Sequence, residues 1–392
     1  MDREIHHLAD AFDHVRVAPM RLKGALNVEL PFNVTIDSTL AQSLSPASGR
    51  HLTKSRQGVA ARNLMRRYPG RAGKDEGRVR DCAHPSWVAQ ALLSRADRQA
   101  VYRWAQSVPP PSVAYTFWLS AAAEGLRVAW PATPLLSRAH GGDVYGYAHG
   151  WDSIPYQGLR VRAADRIACV SNDGMAYLSE RFPKQREKIV VRRLGVADLG
   201  GVAHQELGPT IRVLSVSSIN RTKRVDSILD ALSQLANMGH TVEWEHFGDG
   251  PQRHSIEDEL RRTSPLLRAK LHGHVDLAMV HRGILNGGHH VLVNLSKSEG
   301  VPVSIIEAQC VGLPVVATDV GGSTEAAPRH LNEFVSVGAS PQEAADAILR
   351  ALDHDPNEAY ARREHWAMNF DSEVVYPAFA TELLAMACDG RG

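Results

Sequence analysis

Apolar and polar positions along this chain fall into two alternating rhythms. Short apolar runs ending in a polar or glycine break read as buried parallel strands, and longer stretches with apolar positions at helical spacing read as helices. The rhythm is clearest in the second half. Strands are predicted at 212–217 (RVLSVS), 242–247 (VEWEHF), 270–275 (KLHGHV), 290–295 (HVLVNL) and from Val315 to Thr318. Helices are predicted at 226–238, 256–262 and 341–352. A further helix has Pro302 in its first turn, where a missing N–H costs nothing, and ends at Gly312-Leu313-Pro314.

The first half reads less regularly. A helix at 4–12 precedes a strand at 14–19 (HVRVAP), although a doubly wound sheet opens with a strand and a glycine turn before its first helix. Either that strand is absent, or the start lies downstream of it. Residues 41–80 hold a polar loop and a basic, glycine-containing run (RRYPGRAGKDEGRVRD). That run is read as a solvated face or as a basic face toward an anionic acceptor or membrane lipid. Pro109-Pro110-Pro111 reads as a stiff turn between helices. Strands follow at 134–138, 166–171 and 188–196, with helices at 160–164 and 173–182. Residues 197–209 are polar and structureless, and the domain boundary belongs there. The tail, 366–388, reads as helical with a break near Pro377.

The length, 392 residues, exceeds what one hydrophobic core serves, so two domains are expected. At 44% hydrophobic and 22% charged the composition is that of a soluble globular protein, and a net charge of +1 argues against nucleic acid as the main partner. Four scattered cysteines without a CxxC pair read as reduced thiols. The N-terminus lacks an apolar secretory segment and the longest apolar stretch, 113–123, is too short to span a bilayer. The expected location is the cytoplasm, with peripheral contact at the inner membrane face through the basic 50–80 region.

Loops at the carboxyl ends of the strands face the ligand in an open parallel sheet. Four in the second half carry chemistry. Ser218-Ile219-Asn220-Arg221-Thr222-Lys223-Arg224 sets three cations beside a helix N-terminus, suited to a diphosphate or to plain solvation. Gly248-Asp249-Gly250-Pro251 allows close backbone approach. His272-Gly273-His274-Val275 offers backbone groups to the edge of a base, or simply ends a strand. The stretch 294–326 (NLSKSEGVPVSIIEAQCVGLPVVATDVGGSTEA) puts Glu299 in a loop and Glu307 on the following helix. Eight positions of helix rise roughly 12 Å, too far for one shared metal or proton. Gly300, Val301 and Val303 present free amides near the helix start, while Pro302 cannot.

Taken in order, these motifs resemble the family-4 retaining glycosyltransferases of the GT-B fold, over roughly residues 195–330. RAHGGDVY at 138–145, AADRIACVSNDGMAYL at 163–178 and KIVVRRLGV at 188–196 look similar too, nearest to a branch acting in exopolysaccharide and glycoside biosynthesis. The resemblance implies an α/β protein of two Rossmann-like doubly wound domains facing a central cleft. An acceptor-side domain would occupy 1–196 and a nucleotide-sugar donor domain 197–365, with a tail helix at 366–392 packing back on the first.

By the same resemblance Glu307 would hold the donor ribose and Glu299 the transferred sugar. Lys223 would neutralise the diphosphate as its bond to the sugar breaks. His140 matches the family's first-domain histidine beside the reacting sugar. Where the family often carries an arginine, five positions before the lysine, this chain has Ser218, leaving Arg221 or Arg224 to supply the second positive charge. Gly248, His274, Val275, Gly300, Val301 and Val303 complete the donor-binding set. The pairs His6-His7 and His289-His290 match nothing and read as structural.

The implied reaction is transfer of a hexose, with retention, from a UDP- or GDP-sugar to a glycan, lipid-linked or small-molecule acceptor. No permanently bound cofactor and no metal are expected. The alternatives are a nucleotide-sugar epimerase of related fold and a nucleotide-sugar-binding partner subunit without turnover.

Overall fold

The computed structural model describes residues 2–21, 29–44, 85–203, 208–353 and 355–389. The basic 50–80 region lies outside them. The chain divides into two compact units, Met1–Arg192 with Tyr376–Gly392, and Arg193–Val375. Among the described residues no helix is long and apolar enough to cross a membrane.

The first unit opens with α1 (Asp2–Ala11), β1 (Val15–Val17), β2 (Val34–Ile36) and α2 (Thr39–Ser43), then α3 (Pro85–Gln106) and β3 (Ala114–Thr116). It continues through α4 (Ala121–Ala129), β4 (Leu135–Ala139), α5 (Gly141–Val144), α6 (Gln157–Ala163), β5 (Arg166–Cys169), α7 (Asn172–Arg181) and β6 (Ile189–Val191). Strands β3-β4-β5-β6 form one parallel sheet, and β1-β2 form a separate parallel pair. Alternation along β4 sends neighbouring leucines to opposite faces. Leu136 packs with Leu8 of α1 and with Phe379 and Leu383, whereas Leu135 packs with Leu40, Val101, Leu126 and Trp130. A fully buried ion pair, Arg138 Nη1 to Glu4 Oε2 at 2.9 Å, ties α1 to β4. The triple proline 109–111 lies between α3 and β3, a helix and a strand rather than two helices. The apolar run 113–123 hides the reason, since its first part is the buried strand β3.

The second unit comprises β7 (Thr210–Val216), α8 (Val225–Asn237), β8 (Thr241–Phe247), α9 (Arg253–Leu260), β9 (Leu267–Gly273) and α10 (Leu277–Asn286). It goes on through β10 (Val291–Asn294), α11 (Val303–Cys310), β11 (Val315–Thr318), α12 (Ser323–Ala326), β12 (Glu333–Val335), α13 (Pro341–Leu352) and α14 (Glu358–Phe370). Six parallel strands run in the order β12-β11-β10-β7-β8-β9, the doubly wound arrangement. Every residue of β10 and β11 is buried, as strands covered on both faces must be. One face carries α8 and α13, whose Ile228, Leu232, Leu235 and Ile348 close over Val213, Val291 and Val316. Gly312, at φ +75°, ends the turn after α11, and a β-carbon there would sit 2.6 Å from the Ala359 carbonyl of α14.

The last helix, α15 (Ser372–Asp389), corrects the expected break. The chain breaks at Asp371, not at Pro377. Asp371 is extended and bridges to Val196, with Val196 N donating to Phe370 O at 2.7 Å and Ser372 N to Val196 O at 3.1 Å. Pro377 stays inside α15. An interior proline costs about 3 kcal/mol, and burial of Phe379 and Leu383, at about 1.5–3 kcal/mol each, offsets it. The same bridge explains why residues 193–196 and 366–375 go with the second unit, so that the return to the first begins at Tyr376 rather than 366.

Candidate active site

In a doubly wound sheet the ligand crevice opens where strand order reverses, outside the strand carboxyl ends. In the second unit that point lies between β7 and β10, which pair Val213 with Val291 and Leu214 with Leu292. The loops leaving these two strands carry Lys223 and Glu299. Lys223 Nζ lies 2.7 Å from Glu299 Oε1 and 2.9 Å from Oε2. Glu299 is buried, and Asn294 at the end of β10 donates to its Oε1 at 3.3 Å.

Each loop is fixed by its own sequence. Asn220 Oδ1 accepts the amides of Thr222 and Lys223 at 2.9 and 3.0 Å, an Asx turn. Arg224 follows in the left-handed region, φ +49°, and its guanidinium donates to Val337 O at 2.7 Å and Ser227 Oγ at 3.2 Å. Arg224 is thus an anchor for the start of α8. Arg221 and Ser218 are exposed. On the other side, Lys297 N donates to Thr222 O at 2.7 Å, lacing the two loops together, and Gly322 N donates to Gly300 O at 2.8 Å.

Glu307 lies on α11, buried, and its Oε1 meets His281 Nε2 at 3.1 Å. The two carboxylates therefore hold different partners. At the start of α11, Pro302 O accepts the amides of Ile305 and Ile306. Among the described residues the amides of Gly300, Val301 and Val303 donate to nothing in the protein. Val301 is buried and Val303 exposed, so these donors straddle the rim of the site.

Gly248 meets a steric demand. Its φ is +141° and a β-carbon would fall 1.8 Å from Ser217 O, so only glycine lets the ends of β7 and β8 lie together. Gly248 N also donates to Gly273 O at 3.0 Å. His274 is exposed and Val275 half-buried beyond the end of β9.

Three supports escaped the sequence reading. Trp244 Nε1 donates to Ser215 Oγ at 2.8 Å, Ser215 Oγ meets His246 Nδ1 at 2.7 Å, and His246 Nε2 meets Ser217 O at 3.0 Å. This chain fixes the first residue of the Lys223 loop, and burial holds the His246 pKa down to about 4. The alternation of β8 carried the signal, since Val242, Trp244 and His246 are buried while Thr241, Glu243 and Glu245 between them are half-buried. Asn294 and His281 had no comparable signal, because each acts through a tertiary contact.

His140, in the first unit, caps α5. Its amide donates to Asp143 Oδ1 at 2.5 Å, and Asp143 Oδ2 accepts Leu119 N at 2.7 Å. The ring lies against Phe117 and Trp118, with centroids 5.0 and 4.2 Å away, and both ring nitrogens are buried without a partner. Burial, with Arg138 nearby, lowers its pKa to about 3, so the imidazole is neutral near pH 7. His289 and His290 serve the scaffold through Gly283 O and the Arg212 amide.

With this geometry in place, residues 210–354 match the family glycosyl transferases group 1. Among similar proteins is a phosphatidylinositol N-acetylglucosaminyltransferase subunit from Arabidopsis thaliana, 26% identical over 142 residues, 36% of this chain and 31% of that one. Another is a putative colanic acid biosynthesis glycosyltransferase of Salmonella typhimurium, 25% identical over 216 residues, 50% of this chain and 51% of that one. The chain spans about a third to a half of the length of these relatives. In three dimensions it resembles Anabaena HepE in complex with UDP, at a TM-score of 0.57 and 16% identity over 74% of this chain and 82% of that one. The two units have the GT-B fold, as the motif order implied.

Proposed function

We propose that this protein transfers a hexose from a nucleoside-diphosphate sugar to an acceptor hydroxyl, with retention of anomeric configuration. The observation that carries the reading is the Lys223–Glu299 pair at the strand-order reversal, with the free amides of Gly300, Val301 and Val303 beside it. Lys223 would exchange Glu299 for the diphosphate and stabilise the charge that develops as the sugar leaves. Glu299, released, would take hydroxyls of the transferred sugar. Glu307, steadied by His281, would accept the ribose diol through its remaining lone pairs.

In the reaction the acceptor oxygen bonds to the anomeric carbon on the face from which the diphosphate departs. The carbon–oxygen bond to phosphate breaks, and the acceptor proton passes to the departing phosphate oxygen. Two carboxylates held by separate partners do not form the acid–nucleophile pair of the hydrolases. The names of the relatives, which span colanic acid and phosphatidylinositol glycosides, support a glycan or lipid-linked acceptor.

The test is incubation with UDP-, GDP- and ADP-hexoses, with and without glycan and lipid-linked acceptors, followed by NMR of the anomeric proton. Transfer with the donor's configuration supports the reading. Donor conversion without acceptor would instead indicate an epimerase, and absence of donor binding at millimolar concentration would end the proposal.

A further inference from the structure

The seven tryptophans divide by what surrounds their rings. Trp87, Trp130, Trp151, Trp244 and Trp366 are buried, and Trp104 is half-buried with its N–H on Asp37 Oδ2 at 2.9 Å. Trp118 alone is exposed, at 47%. Among the described residues its indole N–H donates to nothing.

The ring is nevertheless held. Leu119, the next residue, is fully buried against Ala139, Val144 and Tyr145, and its amide is the one that Asp143 Oδ2 accepts. Ser120 N donates to Trp118 O at 2.8 Å, and Ser120 Oγ caps α4 by accepting Ala122 N at 3.3 Å. Asp143 Oδ1 accepts the His140 amide, so one carboxylate pins the loops that leave β3 and β4. The Trp118 ring rests on the His140 ring, with centroids 4.2 Å apart and planes at 41°, while Phe117 lies at 5.9 Å and 75°. One side of the indole is packed and the other is open. Two residues past His140, a β-carbon on Gly142 would meet nothing within 4 Å.

Both loops leave the carboxyl ends of parallel strands, the side on which open α/β sheets take ligands. Three partners suit a fixed, exposed indole: a cation, a membrane surface and a sugar ring. A cation would need a free carboxylate close by. Asp143 is buried with an amide on each oxygen, and the charged side chain that acts on His140 is the Arg138 guanidinium. A membrane surface needs a continuous apolar patch. Along α4 the next exposed apolar side chain is Val128, roughly 10 Å from the helix start. A pyranose fits what remains. Its C–H face would lie against the negative face of the indole, and the free indole N–H would meet a hydroxyl at its rim.

We propose that Trp118 is the stacking platform for a sugar ring of the acceptor. The acceptor is then a glycan or lipid-linked saccharide recognised through its carbohydrate, not through an acyl chain. Pyranoses with an uninterrupted C–H face, of gluco or galacto configuration, satisfy the indole best. That the bound sugar serves as acceptor rests on the transfer proposed above; that a saccharide binds at Trp118 does not.

The test is titration of the full chain with methyl β-D-glucopyranoside, methyl β-D-galactopyranoside and decanoate, followed by NMR. The Trp118 indole N–H resonance, assigned by its loss in Trp118→Phe, reports contact at the ring. Saturation transfer to the glycoside C–H protons reports stacking. At least one glycoside is expected to shift that resonance saturably. Trp118→Ala should weaken its binding about 10-fold or more, Trp118→Phe by less, and Val128→Ala not at all. The phenylalanine variant keeps an aromatic face, so a folding defect in the alanine variant does not decide the result. Equal glycoside affinity in Trp118→Ala, a shift by decanoate alone, or no saturation by either glycoside at tens of millimolar would each overturn the platform. Titrations of the same samples with UDP and GDP separate it from the transfer reading. Nucleotide binding without glycoside binding overturns the platform and leaves the transfer standing. Glycoside binding at Trp118 without nucleotide binding overturns the transfer and leaves a saccharide site.

Discussion

Lys223 and Glu299, 76 positions apart in sequence, form a two-pronged ion pair at 2.7 and 2.9 Å where the strand order reverses in the second unit. Glu299 is 7% exposed and the Lys223 side chain 28%, so the carboxylate depends on the lysine more than the lysine on it. Lys223→Met leaves a buried carboxylate with Asn294 as its remaining side-chain partner. Stability is expected to fall by about 1–3 kcal/mol, read by urea unfolding. Turnover is expected to fall on the order of 10²-fold, more than donor affinity does. Equal activity of the variant would remove Lys223 from the chemistry.

Glu307 and His281 make a second, separate prediction. Glu307→Gln keeps the shape and removes the charge, and His281→Ala removes the group that orients it. Both are expected to raise KM for the donor by about 10-fold, about 1.4 kcal/mol of binding, with kcat changed less. A glutamine at 281, which can donate to Glu307, should restore part of that loss. Were His281 merely structural, KM would stay fixed while stability fell.

Glycine positions separate scaffold from surface. Gly248→Ala meets both φ +141° and the Ser217 carbonyl at 1.8 Å, and is expected to cost at least about 3 kcal/mol. Gly142→Ala has nothing within 4 Å and is expected to stay within about 0.5 kcal/mol. Thermal melts of the two variants side by side check this.

His140 has a pH signature. Its pKa falls from 6.5 to about 3 because the buried ring resists charge. The unfolded chain binds that proton more readily, so His140 subtracts stability as pH falls from about 6.5 toward 3 and leaves it unchanged above. His140→Gln should flatten the decline over that window. Histidine NMR should show no His140 inflection between pH 5 and 8, and an inflection near 6.5 would contradict the buried, unpartnered ring.

The second unit was largely legible because its strands are short apolar runs with helical spacing between them, and one motif sits at each strand end. Glu299 and Glu307 were read correctly as a loop and a helix residue. Less visible was everything that depends on tertiary contact: Asn294 and His281 are single polar residues whose meaning comes from the carboxylates they meet. The sequence offers Arg221 or Arg224 as the second positive charge, and only the tertiary contact of the Arg224 guanidinium with Val337 O separates the two. In the tail, Pro377 outranks Asp371 as a breaker by local rules, and only the bridge to Val196 reverses that order. The first unit reads least well because β1, β2 and β3 have three residues each, too few to show a period.

The central claim is that the loops around Lys223 and Glu307 hold a nucleoside diphosphate. Isothermal titration of the intact protein with UDP and with GDP, repeated on Lys223→Met and Glu307→Gln, tests it most directly. The account predicts saturable binding of one of the two nucleotides, weakened about 10-fold or more by each substitution. No heat of binding at millimolar nucleotide, or equal affinity in all three proteins, would contradict it.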